Sequence, residues 1–252
     1  MGNSKKDQIT KIEDAVVSRA TWANVEREKA LKKAKQIALA FNIWGSIAGF
    51  ATLIINNQYT CFCLQMAVLI TGLLIIAFST GQTRFLPDKK GRLATVALGI
   101  GLTGIVMLIV TIGDSAYHIN GKYGLLCTLI IIASILIFLP LKIFSRNPDV
   151  GKGDTMLIMM VSLLYGFGSI TQINCLFDRS SPQTYTSVIE EKYTTTGKGA
   201  HYHIRIKPWQ SDGRSRSIDI RKSEYERTTL GQPITIFVKQ GLFNIPWFYT
   251  KL

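Results

Sequence analysis

Apolar residues occur in five long blocks between positions 36 and 176, and nearly every charge in this part of the chain lies in a short connector. A helix needs about 20 apolar residues to cross a hydrocarbon core roughly 30 Å thick. The pattern therefore predicts a membrane α-helical domain with five transmembrane helices, at 36–55, 61–79, 93–112, 123–144 and 155–176. Four helices are the main alternative, because the connector between the first two blocks is short.

After residue 176 the period of the pattern changes. Apolar and polar residues alternate, which predicts strands buried on one face, and turns containing glycine separate these strands. Five short strands in 177–252 predict a small all-β C-terminal domain, an open barrel of the SH3 or OB kind. The predicted strands are 184–193, 201–207, 217–221, 234–239 and 242–249.

Residues 1–35 are polar and form a third predicted unit, an amphipathic basic helix. Its apolar residues recur at spacings of three and four, as on one face of a helix, at Ile9, Ile12, Val16, Ala20 and Ala23. The lysines before the first apolar block suit headgroup contacts that fix the topology. The alternative is a docking helix for a cytoplasmic partner.

Lysine and arginine in the connectors predict the orientation, because cytoplasmic connectors carry an excess of both. Residues 1–35 hold nine, 80–92 four and 145–154 two, whereas 56–59 hold none and 113–122 one. The N-terminus is therefore expected in the cytoplasm. With five helices, the C-terminal domain is extracytoplasmic. Its own positive charges do not oppose this, because segments longer than about 60 residues translocate largely regardless of charge.

The end of the chain resembles a known layout. Tyr225 and segments 231–236 and 241–247 are similar to the closing hairpin in certain bacterial inner-membrane proteins of unassigned function. Those proteins carry a small extracytoplasmic β domain at one end. The likeness covers roughly a third of the chain. It implies the architecture and a bacterial inner (plasma) membrane location, and no activity.

Small residues recur four apart in three of the apolar blocks. This spacing lets two helices approach closely, either within the chain or in a homo-oligomer. The predicted packing residues are Gly45, Gly49, Ala97, Gly101, Ser162 and Gly166.

Four cysteines fall at the predicted outer ends of the helices: Cys61, Cys63, Cys127 and Cys175. That side of a membrane is the one where disulfides persist. Two interpretations stay open: small buried residues, or one or two disulfides that clamp helix ends.

His201 and His203 lie two apart on a predicted strand and so share a face, and His118 and Asp114 lie in a connector on the same side. These four are candidates for an external metal site, and Cys61 and Cys63 form a Cys-x-Cys pair without a second pair at metal-ligand spacing. Histidine on a solvated strand face is ordinary, so no metal and no cofactor is expected.

Catalytic and nucleotide-binding motifs are missing from the sequence. The match of Gly99, Gly101 and Gly104 to GxGxxG lies inside an apolar block, where it neither follows a strand nor opens a soluble helix. No Asp or Glu lies near the middle of an apolar block, which disfavours a proton- or sodium-coupled transporter. Nucleic acid is not an expected partner, because the basic tail is expected outside the cytoplasm.

The sequence favours a non-enzymatic multi-pass protein that acts through protein contacts, in assembly, sensing or defence and immunity. The outer β domain and the inner helix would make those contacts. The bilayer and a protein partner, or further copies of the chain, are the expected partners. An oligomeric channel or transporter is the alternative, and an envelope enzyme has the least support.

Overall fold

The computed structural model describes residues 3–55, 57–79, 82–86, 94–113, 118–144, 152–196, 200–209, 213 and 215–251. These residues form six helices: α1 (Asn3–Ala51), α2 (Gln58–Phe78), α3 (Ala97–Gly113), α4 (Tyr123–Phe144), α5 (Lys152–Leu176) and α6 (Lys222–Arg227). They also form eight strands: β1 (Thr83–Arg84), β2 (Ala94–Thr95), β3 (His118–Ile119), β4 (Gln183–Thr196), β5 (Ala200–Ile206), β6 (Arg216–Ile220), β7 (Pro233–Lys239) and β8 (Trp247–Lys251).

The five predicted apolar segments fall largely within α1 to α5. Three of these helices, α2, α4 and α5, are long and apolar enough to cross a membrane. Helix α3 is apolar but shorter, and α1 is polar over its N-terminal part. No break separates the polar N-terminus from the first apolar block, because α1 runs through both.

Close contacts between small residues hold the helices together. A Cβ added at Gly45 of α1 would lie 2.9 Å from the Gly99 Cα of α3. The Tyr165 hydroxyl of α5 donates to the Ile100 carbonyl oxygen at 3.2 Å, and this tyrosine is fully buried. Helix α3 therefore packs between α1 and α5.

Asn42 of α1 fixes the start of α3. Its side-chain oxygen accepts from the Gly99 N–H at 2.9 Å, and its Nδ2 donates to the Thr95 carbonyl oxygen at 2.7 Å. The Thr95 hydroxyl oxygen accepts from the Ala97 N–H at 3.2 Å. These two side chains satisfy N–H groups that the first helical turn leaves unpaired. Just before α3, strands β1 and β2 form a short parallel pair.

The C-terminal part of the chain forms a curled antiparallel sheet, a half-barrel with the strand order β3-β8-β7-β4-β5-β6. Strand β4 pairs with β7 over its first half and with β5 over its second half. The register shifts between Ile189 and Glu191, as in a bulge that bends a strand. The buried core of the sheet consists of Ile189, Ile204, Ile206, Ile218, Ile234, Ile236, Val238 and Phe248.

The predicted β-rich tail is therefore present, with three differences. The sheet has six strands rather than five, because β3 joins it from the connector between α3 and α4. Helix α6 was not predicted. The last strand begins only at Trp247, because residues 241–246 form a turn.

Candidate binding site between the sheet and the helices

Asn174, near the end of α5, binds the turn that precedes β8. Its Nδ2 donates to the Ile245 carbonyl oxygen at 2.9 Å, and its Oδ1 accepts from the Phe243 N–H at 3.1 Å. Its backbone carbonyl oxygen accepts from the Leu242 N–H at 3.0 Å. Asn174 is fully buried, so this amide serves as a specific link between the helices and the sheet.

Asp178 forms the second part of this link. Its carboxylate accepts from the Ser180 N–H at 2.8 Å and from the Gly241 N–H and Trp247 Nε1 at 2.9 Å each. The Lys239 ammonium donates to the Asp178 carbonyl oxygen at 2.9 Å. Burial by itself would raise the pKa of Asp178, but these hydrogen bonds outweigh it and hold the pKa below the ordinary value of 3.8. The carboxylate is therefore ionised at neutral pH.

Gly241 makes this close approach possible. Its φ is +75°, a conformation that favours glycine. A Cβ added there would lie 2.2 Å from the Ile245 carbonyl oxygen and 2.5 Å from the Asn174 Oδ1. No side chain fits at this position.

Strand β3 is the second attachment of the sheet to the helices. His118 pairs with Phe248 and Ile119 with Trp247, and the His118 ring stacks on Phe248 at 4.8 Å between centroids. The Asn120 N–H donates to the Pro246 carbonyl oxygen at 2.7 Å. The connector between α3 and α4 therefore meets the same end of the molecule as the C-terminal sheet.

A cavity of about 630 Å³ lies beside the second attachment, and His118 and Ile119 of β3 are among its lining residues. Helices α3, α4 and α5 form one wall, with Ile112, Leu126 and Phe167 among its residues. Strands β3, β6 and β8 form the other wall, where Arg216 and Phe248 lie. The volume lies within the range of about 300–1,000 Å³ that is typical of small-molecule sites.

The polar side chains in and beside the cavity differ in whether they have hydrogen-bond partners. Thr171 is 2% exposed, and its hydroxyl has no hydrogen-bond partner among the residues that the structure describes. Gln172 Nε2, one residue further, donates to the Thr111 hydroxyl oxygen at 2.9 Å. The Arg216 guanidinium lies over the Trp209 ring, 5.0 Å from its centroid. The cavity therefore combines mostly apolar walls with the Arg216 side chain on its strand side.

The structure places the predicted metal candidates apart. His118 lines the cavity, whereas His203 on β5 pairs with the Asp219 carboxylate, and its other ring nitrogen lies 2.9 Å from the Thr195 hydroxyl. His201 is exposed, and Asp114 lies outside the described residues. Within the described part of the chain, no group of three or more His, Cys, Asp or Glu side chains could hold a metal ion.

The four cysteines, all within the described residues, form no disulfide with one another in the structure. Cys61 and Cys175 are buried, and Cys63 and Cys127 are exposed. The Cys61 thiol lies 3.3 Å from the Ile55 carbonyl oxygen, and Cys175 packs in a small cluster with Trp247. These two thiols fill space in separate packing environments.

Three of the six predicted packing residues lie at helix crossings. Gly45 and Gly49 face α3, and a Cβ at Gly49 would lie 3.4 Å from the Thr103 hydroxyl oxygen. Gly166 on α5 faces α4, where a Cβ would lie 2.2 Å from the Ser134 hydroxyl oxygen.

The other three predicted packing residues lie in three different environments. Ser162 is buried, and its hydroxyl donates to the Ile158 carbonyl oxygen within its own helix at 2.8 Å. Ala97 is partly buried and packs against the helical core. Gly101 has no atom within 4 Å of an added Cβ, because α3 turns Gly99 rather than Gly101 toward α1.

The sequence alone did not identify Asn174, Asp178 and Gly241 as the residues that join the sheet to the helices. The signal was weak: a polar pair at the end of the last apolar block, and a glycine in a predicted turn. Their partners are 63 to 71 residues away along the chain, and no local pattern reports such contacts.

No protein-family model, no curated protein and no solved structure matches this chain.

Proposed function

We propose that the chain is a five-helix protein of the bacterial plasma membrane that catalyses no reaction and works by binding other proteins on both sides. Helix α1 would supply the cytoplasmic contact surface, and the half-barrel the extracytoplasmic one.

Two features support five spans. Strand β3, between α3 and α4, pairs with β8, which follows α5, so both lie at one end of the helices. Because α4 follows β3 and α5 precedes the sheet, α4 leads away from the sheet end of the helices and α5 returns to it. Helix α3, about 26 Å long for its 17 residues, packs along α5 and is close to the thickness of a bilayer core.

The distribution of lysine and arginine supports the orientation. Basic residues are concentrated at the N-terminus and in the connectors between α2 and α3 and between α4 and α5. The described ends of α2 and α4 that lead into these connectors lie away from the sheet. By the positive-inside rule that end faces the cytoplasm. The sheet would then be extracytoplasmic.

The observation that carries the proposal is the length of α1. Its 49 residues extend about 74 Å, whereas a hydrocarbon core is roughly 30 Å thick. The C-terminal end of α1 meets the start of α2, where Gln65 donates to the Thr52 hydroxyl oxygen at 3.2 Å. The start of α2 lies at the sheet end, because the Tyr59 hydroxyl donates to the Leu176 carbonyl oxygen at the end of α5. The N-terminal part therefore extends beyond the opposite end of the other helices.

This extension is exposed and basic. Among the side chains that the structure describes in α1, the first buried one is Ala34. Residues 24–35 carry five basic and two acidic side chains. Residues 24–33, which the described part of the chain leaves largely uncovered and where Val25 is exposed, are suited to an acidic protein partner.

Site-specific photocrosslinking in cells tests the proposal. A photoreactive residue at Val25 or Lys29 should give adducts with a discrete protein. The matched control is Leu136 of α4, which is 66% exposed on an apolar helix and should give no protein adduct.

Two outcomes would contradict the proposal. One is the absence of protein adducts at both α1 positions together with a monomer mass for the complex purified in mild detergent. The other is ion conductance in liposomes that contain only the purified chain, which would favour the channel alternative.

A further inference from the structure

We propose that the free edge of strand β6 binds an extended segment of a partner protein, which adds to the six-stranded half-barrel as a further strand. The segment would place a lysine or arginine opposite Asp219 and apolar residues on either side of that position. This inference rests on the proposed function in one respect, because it identifies the part of the half-barrel that contacts another protein.

Strand β6 lies at one end of the sheet. It pairs with β5 on one side and, within the described part of the chain, with no strand on the other. It has five residues, whereas β3 at the opposite edge has two. An edge strand presents unpaired backbone N–H and C=O groups to an extended segment that approaches it. The β6 edge is therefore the longer of the two edges that can accept a further strand.

The register shows which residues of β6 form hydrogen bonds with β5. At the end of β5, the Lys207 N–H donates to the Val188 carbonyl oxygen of β4 at 3.0 Å. Backbone groups along a strand point alternately to its two sides. Odd-numbered residues of β5 therefore bond to β4, and even-numbered ones bond to β6. Because Ile204 is even-numbered and pairs with Ile218, the N–H and C=O groups of Ile218 are used within the sheet.

Ser217 and Asp219 flank Ile218, so their N–H and C=O groups point away from β5. Among the residues that the structure describes, no hydrogen bond reaches these groups. Both residues are exposed, and the Asp219 side chain is 78% exposed. Two N–H donors and two C=O acceptors, set two residues apart, can therefore pair with an added strand.

The outer face of β6 determines the charge that the added strand should carry. Asp219 lies on this face, where its carboxylate bonds to the His203 ring of β5. Opposite charges that face each other across two strands attract, and like charges repel. A lysine or arginine opposite Asp219 is therefore favoured, and an acidic residue there is disfavoured.

The inner face of β6 favours apolar residues in the added strand. Ile218 points to this face and is fully buried. The cavity described above lies beside the same strand, since Ser217 lines it together with Ile112 and Phe167 of the helices. Because the cavity walls are mostly apolar, valine or a similar residue suits the position opposite Ile218. The segment that fits this edge therefore alternates apolar and basic residues.

A second copy of the chain fits this edge less well. In antiparallel pairing, residues that direct their backbone groups outward lie opposite one another. Two β6 strands would therefore place Ser217, or the other copy's own Asp219, opposite Asp219. Neither residue supplies a positive charge, whereas a segment of a partner protein can.

The test measures binding of a fluorescent peptide to the full chain in mild detergent. The probe is a short peptide in which valine and lysine alternate, and its matched control has glutamate in place of lysine. The chain has a formal net charge of +13, so non-specific attraction would favour the glutamate peptide. We expect the lysine peptide to bind about threefold to tenfold more tightly, and Asp219→Asn to lose this preference.

A proline variant tests the backbone pairing. Ser217→Pro removes an outward N–H and leaves the hydrogen bonds to β5, so it should weaken binding of the lysine peptide about tenfold. Ser217→Ala is the matched control, because it keeps the N–H and also loses the hydroxyl contact with Tyr193. It should bind the peptide as the wild type does.

Three outcomes would overturn the inference. The first is unchanged binding in Ser217→Pro, and the second is no binding of the lysine peptide to the wild type. The third is a wild-type dimer in detergent that Ser217→Pro converts to a monomer, which would assign the edge to a second copy.

Methylation of the peptide backbone covers the case in which Ser217→Pro does not fold. Lysines opposite Ser217 and Asp219 direct their N–H groups toward β6, whereas the valines direct theirs away. Methylation of the lysine backbone nitrogens should therefore abolish binding to the wild type, and methylation of the valine nitrogens should not. Equal effects of the two modifications would contradict strand addition.

The peptide experiment is independent of the photocrosslinking at Val25 and Lys29, because it needs no cellular partner. Strand-specific binding of the lysine peptide without any protein adduct in cells would support the edge site and contradict the proposed function alone. Adducts in cells together with peptide binding that Ser217→Pro leaves unchanged would contradict this inference alone.

Discussion

At the scale of single residues, Asp178 contributes most to the attachment of the sheet to the helices. One buried carboxylate accepts from two backbone N–H groups and the Trp247 indole, and thereby joins the end of α5, the turn at Gly241 and strand β8. Hydrogen bonds to a charged group stabilise more than neutral ones, and removing one partner leaves the others buried and unpaired.

Asp178→Asn should therefore destabilise the sheet by about 1–3 kcal/mol, because the new amide NH₂ group faces N–H donors. The measurement is the free energy of unfolding by urea in detergent, monitored by tryptophan fluorescence. Asp219→Asn is the control, since the Asp219 side chain is 78% exposed and its loss should cost less than about 0.5 kcal/mol. Equal costs in the two variants would contradict the role of Asp178.

The difference in free energy of unfolding between wild type and Asp178→Asn should depend on pH. The pKa of Asp178 is lower in the folded state than its ordinary value of 3.8, so the unfolded chain takes up the proton first as the pH falls. The stability that Asp178 contributes is fully present above the unfolded pKa and is lost as the pH falls through the folded pKa. The difference between wild type and Asp178→Asn should be constant above about pH 5 and shrink below about pH 4.

At the scale of elements, glycines decide how closely the helices approach. Helices α4 and α5 meet at Gly166, where an added Cβ would be 2.2 Å from the Ser134 hydroxyl oxygen and 3.0 Å from the Ile130 carbonyl oxygen. A backbone carbonyl cannot move aside without shifting the helix. Packing between spans depends on such approaches, because lipid supplies no hydrophobic force between helices.

Gly166→Ala should push α4 away from α5 and destabilise the helices by about 1–3 kcal/mol through overpacking. Gly101→Ala is the matched control, because it has open space around the added Cβ and should be neutral or slightly stabilising. Thermal aggregation in detergent measures both variants. A Gly101→Ala that is as destabilised as Gly166→Ala would instead show that Gly101 packs against a second copy of the chain.

At the scale of the whole molecule, the attachment of the sheet at two places makes it a cap on one end of the helices. Because three of these helices are long and apolar enough to cross a membrane, the number of crossings would decide the compartment of the sheet. Three helices meet the requirements of length and apolarity, and the basic connectors favour five crossings.

Alkaline phosphatase fused after Leu252 should be active, because the five crossings proposed above, from a cytoplasmic N-terminus, would place the sheet outside. The same enzyme fused after Phe144 should be inactive, because the proposed orientation puts that end of α4 on the cytoplasmic side. Activity in the second fusion and none in the first would reverse the orientation and exclude the proposed location of both contact surfaces.

The sequence alone determined the type of most elements. Apolar blocks predicted α2, α4 and α5, and the alternation at Ile234, Ile236 and Val238 predicted β7 with the correct buried face. These features are local: a helix or strand shows its buried face through the spacing of its own residues.

Which elements meet could be read only from the folded chain. Strand β3 pairs with the C-terminal sheet, and Gly99 rather than Gly101 faces Gly45. Asp178 accepts hydrogen bonds from Lys239 and Trp247, which are 61 and 69 residues away along the chain. The cavity is likewise lined by residues of distant segments, among them Arg216 and Thr171. The physical reason is that hydrogen bonds and close packing depend on positions in space between distant segments, and the period of a single segment carries no record of its partner.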